Sequence, residues 1–170
     1  MTAERRDGCR AMHDRELPEQ NGTEPMTPED YNLYDTLSHL LRRSHFHAEA
    51  VFSRMMRPHG VTSRQLALMV AISLTPGSSQ RSLGDRVALD MNTVSDLLKR
   101  MEKRGLVERK PSVSDGRSVT IWLTGVGQRI LDDMRADNAA YQEKLTANLT
   151  DAETAELKRL LQKLLDLRAE

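Results

Sequence analysis

The stretch QRSLGDRVALDMNTVSDLLKRMEKRGL, residues 80–106, decides the fold of this chain. Its apolar residues recur at helical spacing in two short runs that a tight connection separates. These residues are Leu83, Val87, Leu89, Val94, Leu97 and Met101. Asp90 is a good N-cap for the second helix, and Gly105 stands at a natural C′ position. We expect the small residues Gly84 and Ala88 on the inner side of the first helix, where steeply crossing backbones come close. The pattern predicts a helix-turn-helix.

The residues that follow, LVERKPSVSDGRSVTIWLT, predict a β-hairpin. Strand-like apolar character at residues 106–107 and 119–123 flanks a turn rich in Pro, Ser, Asp and Gly. We expect the tip of the hairpin to carry Arg109, Lys110 and Arg117. Arginines on a thin projecting hairpin suit the narrow, electronegative minor groove of double-stranded DNA.

The polar face of the second helix has the shape and chemistry that fit a DNA major groove. It carries Asn92, Thr93, Ser95, Asp96, Lys99, Arg100 and Lys103. Gln80 and Arg81, at the start of the preceding helix, complete the set of candidate DNA-binding residues. A charged helix taken alone is more often an ordinary solvated helix. The hairpin directly after this one favours DNA binding.

The distribution of charge agrees with this interpretation, although 25 basic and 25 acidic residues give a net charge of zero. Residues 61–124 hold 10 Lys and Arg against 6 Asp and Glu, a local charge of +4. The segment from residue 125 onward holds 7 basic and 9 acidic residues. The positive field is therefore confined to the part that is predicted to meet phosphate.

Three motifs occur in the order helix end, hairpin tip and exit into the next helix. They are Arg104-Gly105-Leu106-Val107-Glu108-Arg109, Asp115-Gly116-Arg117-Ser118 and Leu123-Thr124-x-x-Gly127. In combination they resemble the MarR (multiple antibiotic resistance regulator) family of winged-helix transcription factors. The resemblance implies that Asp115 and Arg117 hold the wing and place the arginine in the minor groove. Asp96 departs from the family pattern, which often has a basic or neutral polar residue there, and it could pair instead with Arg100 at i+4.

The predicted fold class is mainly α with a small β-hairpin wing. Residues 61–124 form the winged helix-turn-helix, and residues 26–60 and 125–170 form a helical dimerisation region. Residues 1–25 are charged and weakly apolar, which indicates a disordered extension.

Capping signals mark the helices outside the core motif. The predicted starts are Thr27 with Pro28 at N1, Thr62 with Gln65, Thr124, and Thr150 with Glu153. Helical apolar spacing from Tyr34 onward predicts a long first helix that Pro58 and the following residues terminate.

The last predicted helix carries more leucine than the terminal helix of a small monomer can easily bury. Its leucines are Leu157, Leu160, Leu161, Leu164, Leu165 and Leu167. We expect a second copy of the chain to cover them, because a winged helix that reads a palindromic site needs two-fold symmetry. The resemblance likewise implies a homodimer in which the first and the two C-terminal helices interlace.

No catalytic constellation emerges, so we predict neither an enzyme nor a cofactor or metal. His39, His45 and His47 lie on the first long helix at i, i+6 and i+8, which does not bring three imidazoles to one point. A zinc site from His45 or His47 with distant carboxylates is an alternative, but polar or pocket-lining histidines are the favoured interpretation. The glycines form no phosphate loop.

The resemblance also implies an effector crevice between the dimerisation helices and the DNA-binding lobe, lined by the first, second and fifth helices. Our candidates are Arg42, Arg43, His45 and His47 for an anionic group, and Phe46, Met55 and Met69 for an aromatic ring. The run LLRRSHFHAE resembles regulators of aromatic-acid degradation, some of which respond to an acyl-coenzyme A thioester. The alternative is that the arginines pair with acids such as Glu49 or face solvent.

Two further interpretations remain open. Cys9 is the single cysteine, which excludes an intramolecular disulfide and a multi-cysteine zinc site. Redox sensing by Cys9, helped by Tyr31 or Tyr34, is an alternative to an inert thiol in the polar extension. A winged helix used only for protein contacts is the second alternative. The chain has no apolar stretch of membrane-spanning length and no secretory signal, so we expect a cytoplasmic protein.

Overall fold

The computed structural model of this chain describes residues 32–112 and 119–167. Its helices and strands are α1 (Leu37–Met55), α2 (Ser63–Leu74), α3 (Gln80–Val87), α4 (Met91–Lys103), β1 (Val107–Pro111), β2 (Val119–Leu123), α5 (Gly125–Leu145) and α6 (Asp151–Leu164). The predicted class, mainly α with a small hairpin, is confirmed. The predicted extension of residues 1–25, the helix start at Thr27, and Cys9 lie outside the described residues, as do Asp115 and Arg117. Within the described ranges, no helix has the length and apolar character needed to span a bilayer.

The chain divides into two units, Met1–Arg42 and Arg43–Glu170. In the first, the predicted helix from Tyr34 is interrupted, because a short 3-10 helix (Leu33–Asp35) precedes α1. The Asn32 side chain accepts a hydrogen bond from the Tyr34 amide at 3.0 Å and caps this turn. Thr36 then takes an extended conformation, φ −80° and ψ 116°, so the α-helix begins only at Leu37.

The predicted helix caps of the second unit are confirmed. Thr62 with Gln65 and Thr150 with Glu153 form reciprocal capping boxes, the Thr124 side chain accepts from Gly127, and the Asp90 side chain accepts from Thr93. Each cap supplies an acceptor for an amide that the first turn of a helix leaves unpaired. The helix starts were therefore readable from local sequence.

The core of the second unit lies where α2, α3, α4 and α5 meet the hairpin. Its fully enclosed side chains include Leu68, Met69, Ile72, Leu83, Val94, Leu98, Met101, Leu106, Ile121, Leu131 and Met134. β1 and β2 pair antiparallel with Val107 opposite Leu123 and Pro111 opposite Val119. The Ile121 amide also donates to the Ser78 carbonyl at 3.0 Å. The root of the hairpin is thereby fixed to the turn between α2 and α3.

The two small residues predicted on the inner side of α3 have different roles. Gly84 is buried, and a Cβ there would lie 3.1 Å from the Leu89 carbonyl oxygen and 3.4 Å from Val94 Cγ2. The prediction for Ala88 was wrong. Ala88 is exposed and left-handed, with φ 52°, and it is the C-cap of α3. The chain must reverse there to reach the cap of α4, and the Ala88 amide, which donates to the Gly84 carbonyl, stabilises this left-handed turn.

The apolar stripe of α4 is shifted by one position from the predicted one. Leu98 is fully buried together with Val94 and Met101, whereas Leu97 is only half-buried. Adjacent residues differ by 100° around a helix, so an apolar pair such as Leu97 and Leu98 leaves the centre of the buried face undecided until the packing partners are known.

Candidate nucleic-acid interface

The exposed face of α4 is a narrow polar stripe. Asn92, Asp96, Lys99 and Lys103 are all exposed and fall within about 60° of one another around the helix. The buried residues Val94, Leu98 and Met101 hold the opposite face in the core. Arg100 is exposed beside the stripe, while Thr93 and Ser95 are half-buried at its edges. The exposed face of α4 therefore presents a row of amide, carboxylate and ammonium groups.

The N-terminal turn of α4 is organised by Asp90. Its carboxylate accepts from the Thr93 amide at 2.9 Å and from the Thr93 hydroxyl at 2.6 Å. The hydroxyl bond and then the amide bond of Thr93 hold the pKa of Asp90 below its usual value. Gln80 lies at the same turn, since its Nε2 donates to the Met91 carbonyl at 3.5 Å. The Thr93 hydroxyl proton is thus committed to the cap, which leaves this side chain an acceptor only.

Asp96 lies in the middle of the stripe, and its partner differs from the one we suggested. Its carboxylate is 3.9 Å from Lys99 Nζ rather than paired with Arg100. Both side chains are more than 60% exposed, so such a pair stabilises the fold by about 0–1 kcal/mol. Its consequence is electrostatic, because one positive charge of the stripe already faces a carboxylate.

The predicted position of Arg109 and Lys110 at the hairpin tip was wrong. Arg109 is paired with Ile121 within the strands, and its Nε donates to Glu102 Oε2 on α4 at 3.0 Å. Lys110 Nζ lies 2.8 Å from Glu108 Oε1 and 5.2 Å from the centre of the Trp122 ring. Pro111 was interpreted as the start of the turn, but it still pairs across the hairpin, as proline can on a strand that forms a sheet edge.

The C-terminal end of α4 is held by contacts that the sequence did not predict, although most of the residues involved belong to the helix-end and exit motifs. Arg104 Nη1 donates to the Gly60 carbonyl, 44 positions earlier in the chain, at 2.6 Å. Thr124 Oγ1 donates to the Gly105 carbonyl at 2.5 Å. A Cβ on Gly127 would lie 2.1 Å from the Leu106 carbonyl oxygen, so the third residue of α5 must be glycine at this contact. The exit of α4 is packed directly against the start of α5.

A cavity of about 390 Å³ between α1 and the end of α5 brings together two of the seven effector candidates, His47 and Met55. Its other lining residues are Ala50, Val51, Arg54, Lys144, Leu145, Ala147 and Asn148. His47 Nε2 lies 3.2 Å from the Leu145 carbonyl oxygen. The lining is apolar with two cationic side chains, Arg54 and Lys144, neither of which was among the candidates. None of these nine residues is acidic.

The structure places the other effector candidates elsewhere. Met69 is fully enclosed in the core, and Phe46 is 62% exposed with its ring 6.0 Å from that of His45. In the first unit, Arg42 Nη2 lies 3.3 Å from His39 Nδ1. Arg43 is exposed. Among the described residues, no three His, Cys, Asp or Glu side chains converge as a metal site would require.

A smaller cavity of about 260 Å³ lies between α1 and the start of α2, with Glu49, Phe52 and Arg57 among its lining residues. Glu49 Oε1 accepts from the Ser63 hydroxyl at 2.5 Å. Burial, followed by the nearby Glu49 carboxylate, raises the pKa of the Tyr141 phenol. Tyr141 packs edge-on against Phe52 with ring centres 5.8 Å apart, which joins α5 to α1 beside this cavity.

Comparison with known proteins agrees with this architecture. The sequence model of the MarR family matches residues 61–119. The chain is 28% identical over 142 residues to the HTH-type transcriptional repressor NicR of Pseudomonas putida, covering 84% of this chain and 90% of NicR. It is 30% identical over 112 residues to the HTH-type transcriptional repressor Rv2887 of Mycobacterium tuberculosis, covering 66% of this chain and 81% of the relative.

Solved structures show the same fold. The PcaV regulator of Streptomyces coelicolor in complex with its natural ligand superimposes with a TM-score of 0.73 at 29% identity, over 80% of this chain and 96% of PcaV. A cysteine-to-serine mutant of Escherichia coli MarR complexed with operator DNA superimposes with a TM-score of 0.72 at 26% identity, over 76% of this chain and 93% of MarR. CouR of Rhodococcus jostii bound to p-coumaroyl-CoA superimposes with a TM-score of 0.67 at 26% identity, over 78% of this chain and 94% of CouR.

The family match lies on the helix-turn-helix and the first strand of its wing, and the relatives extend it over the flanking helices. The family consists of transcription regulators rather than enzymes. This chain belongs to the MarR family of DNA-binding, winged helix-turn-helix transcription regulators.

Proposed function

We propose that this chain is a ligand-responsive repressor that binds a palindromic operator as a homodimer and is released by a small aromatic acid or its CoA thioester. The observation that carries the proposal is the exposed polar stripe of α4 on a helix whose other face is locked in the core. NicR and Rv2887 are named repressors, and E. coli MarR has been solved on operator DNA, which supports the same activity here.

In this proposal α4 enters the major groove and divides its contacts by chemistry. Asn92 and Ser95 reach base edges, while Lys99, Arg100 and Lys103 contact phosphates. Arg81 at the start of α3 adds a further phosphate contact. Asp115 and Arg117 of the wing tip lie outside the described residues and stay predicted minor-groove contacts.

The homodimer is supported by apolar surface that one copy of the chain leaves open. On α6, Leu157, Leu160 and Leu164 are between 43% and 55% exposed, and no residue of this helix is buried. In the first unit, Leu37 and Leu40 of α1 are also exposed. A second copy can cover such surface and supply the two-fold axis that a palindromic site requires. The dimerisation region then comprises residues 26–60 and 125–170 around the DNA-binding residues 61–124.

The effector proposal rests on the cavity between α1 and α5. Its volume of about 390 Å³ falls within the range of small-molecule sites. The aliphatic wall and Met55 suit an aromatic ring, and Arg54, Lys144 and His47 suit a carboxylate. CouR, a structural neighbour, is bound to p-coumaroyl-CoA. Arg42 and Arg43 stay candidates for the phosphates of a CoA thioester.

The proposal is tested by binding to DNA that flanks the gene of this chain, measured against scrambled DNA across a range of salt concentrations. Selective binding with a steep salt dependence supports it, since phosphate contacts release counterions. Absence of both favours the alternative of a winged helix used for protein contacts. Light scattering should give twice the chain mass of 19.3 kDa, and the single-chain mass would contradict the homodimer.

The effector is sought by thermal shift with benzoate, 4-hydroxybenzoate, p-coumarate, p-coumaroyl-CoA and free CoA. A ligand that binds the folded protein raises its melting temperature, and the same compound should release the operator. A shift with p-coumaroyl-CoA but not with the free acid or CoA assigns the thioester. No shift with any of the five compounds would contradict the proposed effector class.

A further inference from the structure

The loop between α1 and α2 contacts two other parts of the second unit through adjacent residues. The Gly60 carbonyl accepts from Arg104 at the end of α4, at 2.6 Å. His59 Nε2 lies 2.8 Å from Asp137 Oδ2 on α5. Gly60 has a left-handed backbone, φ +63°, which turns its carbonyl at the end of the short 3-10 helix Arg57–His59. The loop therefore bridges α4 and α5.

The same two helices are also joined directly, at a different place. Thr124, the N-cap of α5, donates through its hydroxyl to the Gly105 carbonyl, and its amide donates to the Leu106 carbonyl at 3.1 Å. Asp137 lies 13 residues further along this helix, which is about 20 Å at 1.5 Å per residue. The end of α4 is thus attached to α5 at two well separated points, once directly and once through the loop.

On α4 these contacts all lie at residues 104–106, whereas on α5 they are about 20 Å apart, so together they restrict movement of the C-terminal end of α4 along α5. We propose that Arg104, His59 and Asp137 are positioning residues for operator binding, forming a brace that fixes the C-terminal end of α4 against α5. The proposal rests on operator binding by this chain. In the brace, the Arg104 guanidinium donates to a backbone carbonyl of the protein rather than to a DNA phosphate.

The three residues differ in how they can be tested. His59 has a side chain only 15% exposed, so replacing it disturbs packing as well as the hydrogen bond. The Asp137 side chain is 55% exposed and can be removed at small cost to the fold. Loss of the negative charge and loss of the brace predict opposite effects of an Asp137 substitution on the affinity for operator DNA. Removing an acid should strengthen binding to DNA through charge alone, whereas loss of the brace should weaken selective binding.

The experiment measures the affinity of the full-length protein for operator and for scrambled DNA, by fluorescence anisotropy of labelled duplexes. Asp137→Ala should weaken operator binding by about three- to tenfold, the effect of one such hydrogen bond, and leave binding to scrambled DNA unchanged or slightly stronger. Asp133→Ala, an exposed acid on the same helix, is the charge-matched control and should leave operator binding unchanged or slightly stronger. Asp137→Asn retains an acceptor for His59 and should restore operator affinity.

Arg104→Ala separates a brace from a phosphate contact. The brace predicts a loss of operator affinity with an unchanged slope of log affinity against log salt, and no further loss when Arg104→Ala is combined with Asp137→Ala. A phosphate contact predicts a slope that is smaller by about 0.9 and losses that add. The melting temperature of each variant, measured by the fluorescence of Trp122, shows that the variant is folded at the temperature of the binding experiment.

Two results would overturn the brace. If Asp137→Ala binds the operator as Asp133→Ala does while the wild type is selective, the brace is wrong and the proposed function stands. If the wild type does not distinguish operator from scrambled DNA, both proposals fail together.

Discussion

Arg109 Nε donates to Glu102 Oε2 across 3.0 Å, which joins the first strand of the wing to the last turn of α4. The Arg109 side chain is 30% exposed and that of Glu102 is 42% exposed. An ion pair at this level of exposure stabilises the fold by about 0–1 kcal/mol, so a phosphate can compete for the guanidinium. The pair therefore occupies a guanidinium that could otherwise contact a phosphate.

Glu102→Gln should increase the affinity for DNA. The substitution removes an acid beside the interface and weakens the hold on Arg109, which is then free to meet a phosphate. If Arg109 does so, the slope of log affinity against log salt should steepen by about 0.9. Anisotropy titrations on operator and scrambled DNA at several salt concentrations measure this slope.

The control for this variant is Glu143→Gln, which removes the same charge from an exposed residue of α5. Both variants gain any long-range effect of net charge, and only Glu102→Gln should change the slope. Equal slopes in the two variants would show that Arg109 stays bound to the protein on DNA.

Leu98→Ala should destabilise the fold far more than Leu97→Ala. Leu98 points from α4 into the core and is fully buried, and a buried Leu→Ala substitution lowers the free energy of unfolding by about 2–5 kcal/mol. Leu97 is half-buried, so Leu97→Ala should lower the free energy of unfolding by clearly less. Urea unfolding of both variants gives the comparison, and the neighbouring position serves as its own control. A larger loss at Leu97 would place the buried face of α4 where the sequence pattern had placed it.

Local signals in the sequence were sufficient for the starts of α2, α4, α5 and α6 and for the hairpin, because a cap or a strand pair is specified by residues close together in the chain. Ala88 shows where local reasoning stops. Its small side chain suits a close helix contact, whereas the left-handed C-cap that it forms follows from the path of the chain to Asp90. The extent of β1 posed the same problem, since Pro111 is compatible with a turn and with an edge strand.

The contacts around the end of α4 could not be predicted, since they join residues distant in sequence. Arg104 and Gly60 are 44 positions apart, and His59 and Asp137 are 78 apart. Single histidines, aspartates and arginines carry no signal of their partners. The cavity proposed for the effector shows the same limit: the α1 pattern pointed to His47 and Met55, but Lys144 contributes from the C-terminal end of α5.

The stability of the protein should depend on pH through Asp90. Hydrogen bonds from Thr93 lower the pKa of Asp90 in the folded state below its usual value of 3.8. A carboxylate with a lowered pKa contributes stability above its unfolded value, and the contribution is lost as the pH falls through the folded value. Urea unfolding between pH 7 and pH 3 should therefore show the contribution of the cap fading only below about pH 4.

Asp90→Ser is the matched variant, because serine also caps a helix but does not titrate. The difference in stability between wild type and Asp90→Ser should shrink below about pH 4, in the range where an aspartate protonates. A difference that stays constant down to pH 3 would contradict a role for the ionised Asp90 carboxylate.

If the cavity between α1 and α5 holds the effector, as proposed, removing one of its cationic groups should lower the affinity for the ligand. Lys144→Met keeps the aliphatic stem and removes the ammonium group, so it should weaken binding of an aromatic carboxylate by about tenfold, the effect of one hydrogen bond to a charged group. Calorimetric titration with the acid that gives the largest thermal shift measures this. Lys158→Met on α6 removes the same group away from the lining residues and should bind like wild type. Equal affinities in the two variants would exclude Lys144 from the site.

Base reading and phosphate contact should separate on α4. Asn92→Ala should lower the ratio of operator to scrambled-DNA affinity, because an asparagine amide can bond to adenine in the major groove and such contacts carry about 1–3 kcal/mol of discrimination. Lys103→Ala should weaken binding to both DNAs alike and reduce the salt slope by about 0.9. Both side chains are exposed on the same stripe, so neither substitution opens a cavity in the core. Equal losses on operator and scrambled DNA from Asn92→Ala would mean that Asn92 meets the backbone. Selectivity would then depend on Ser95 and the shape of the DNA.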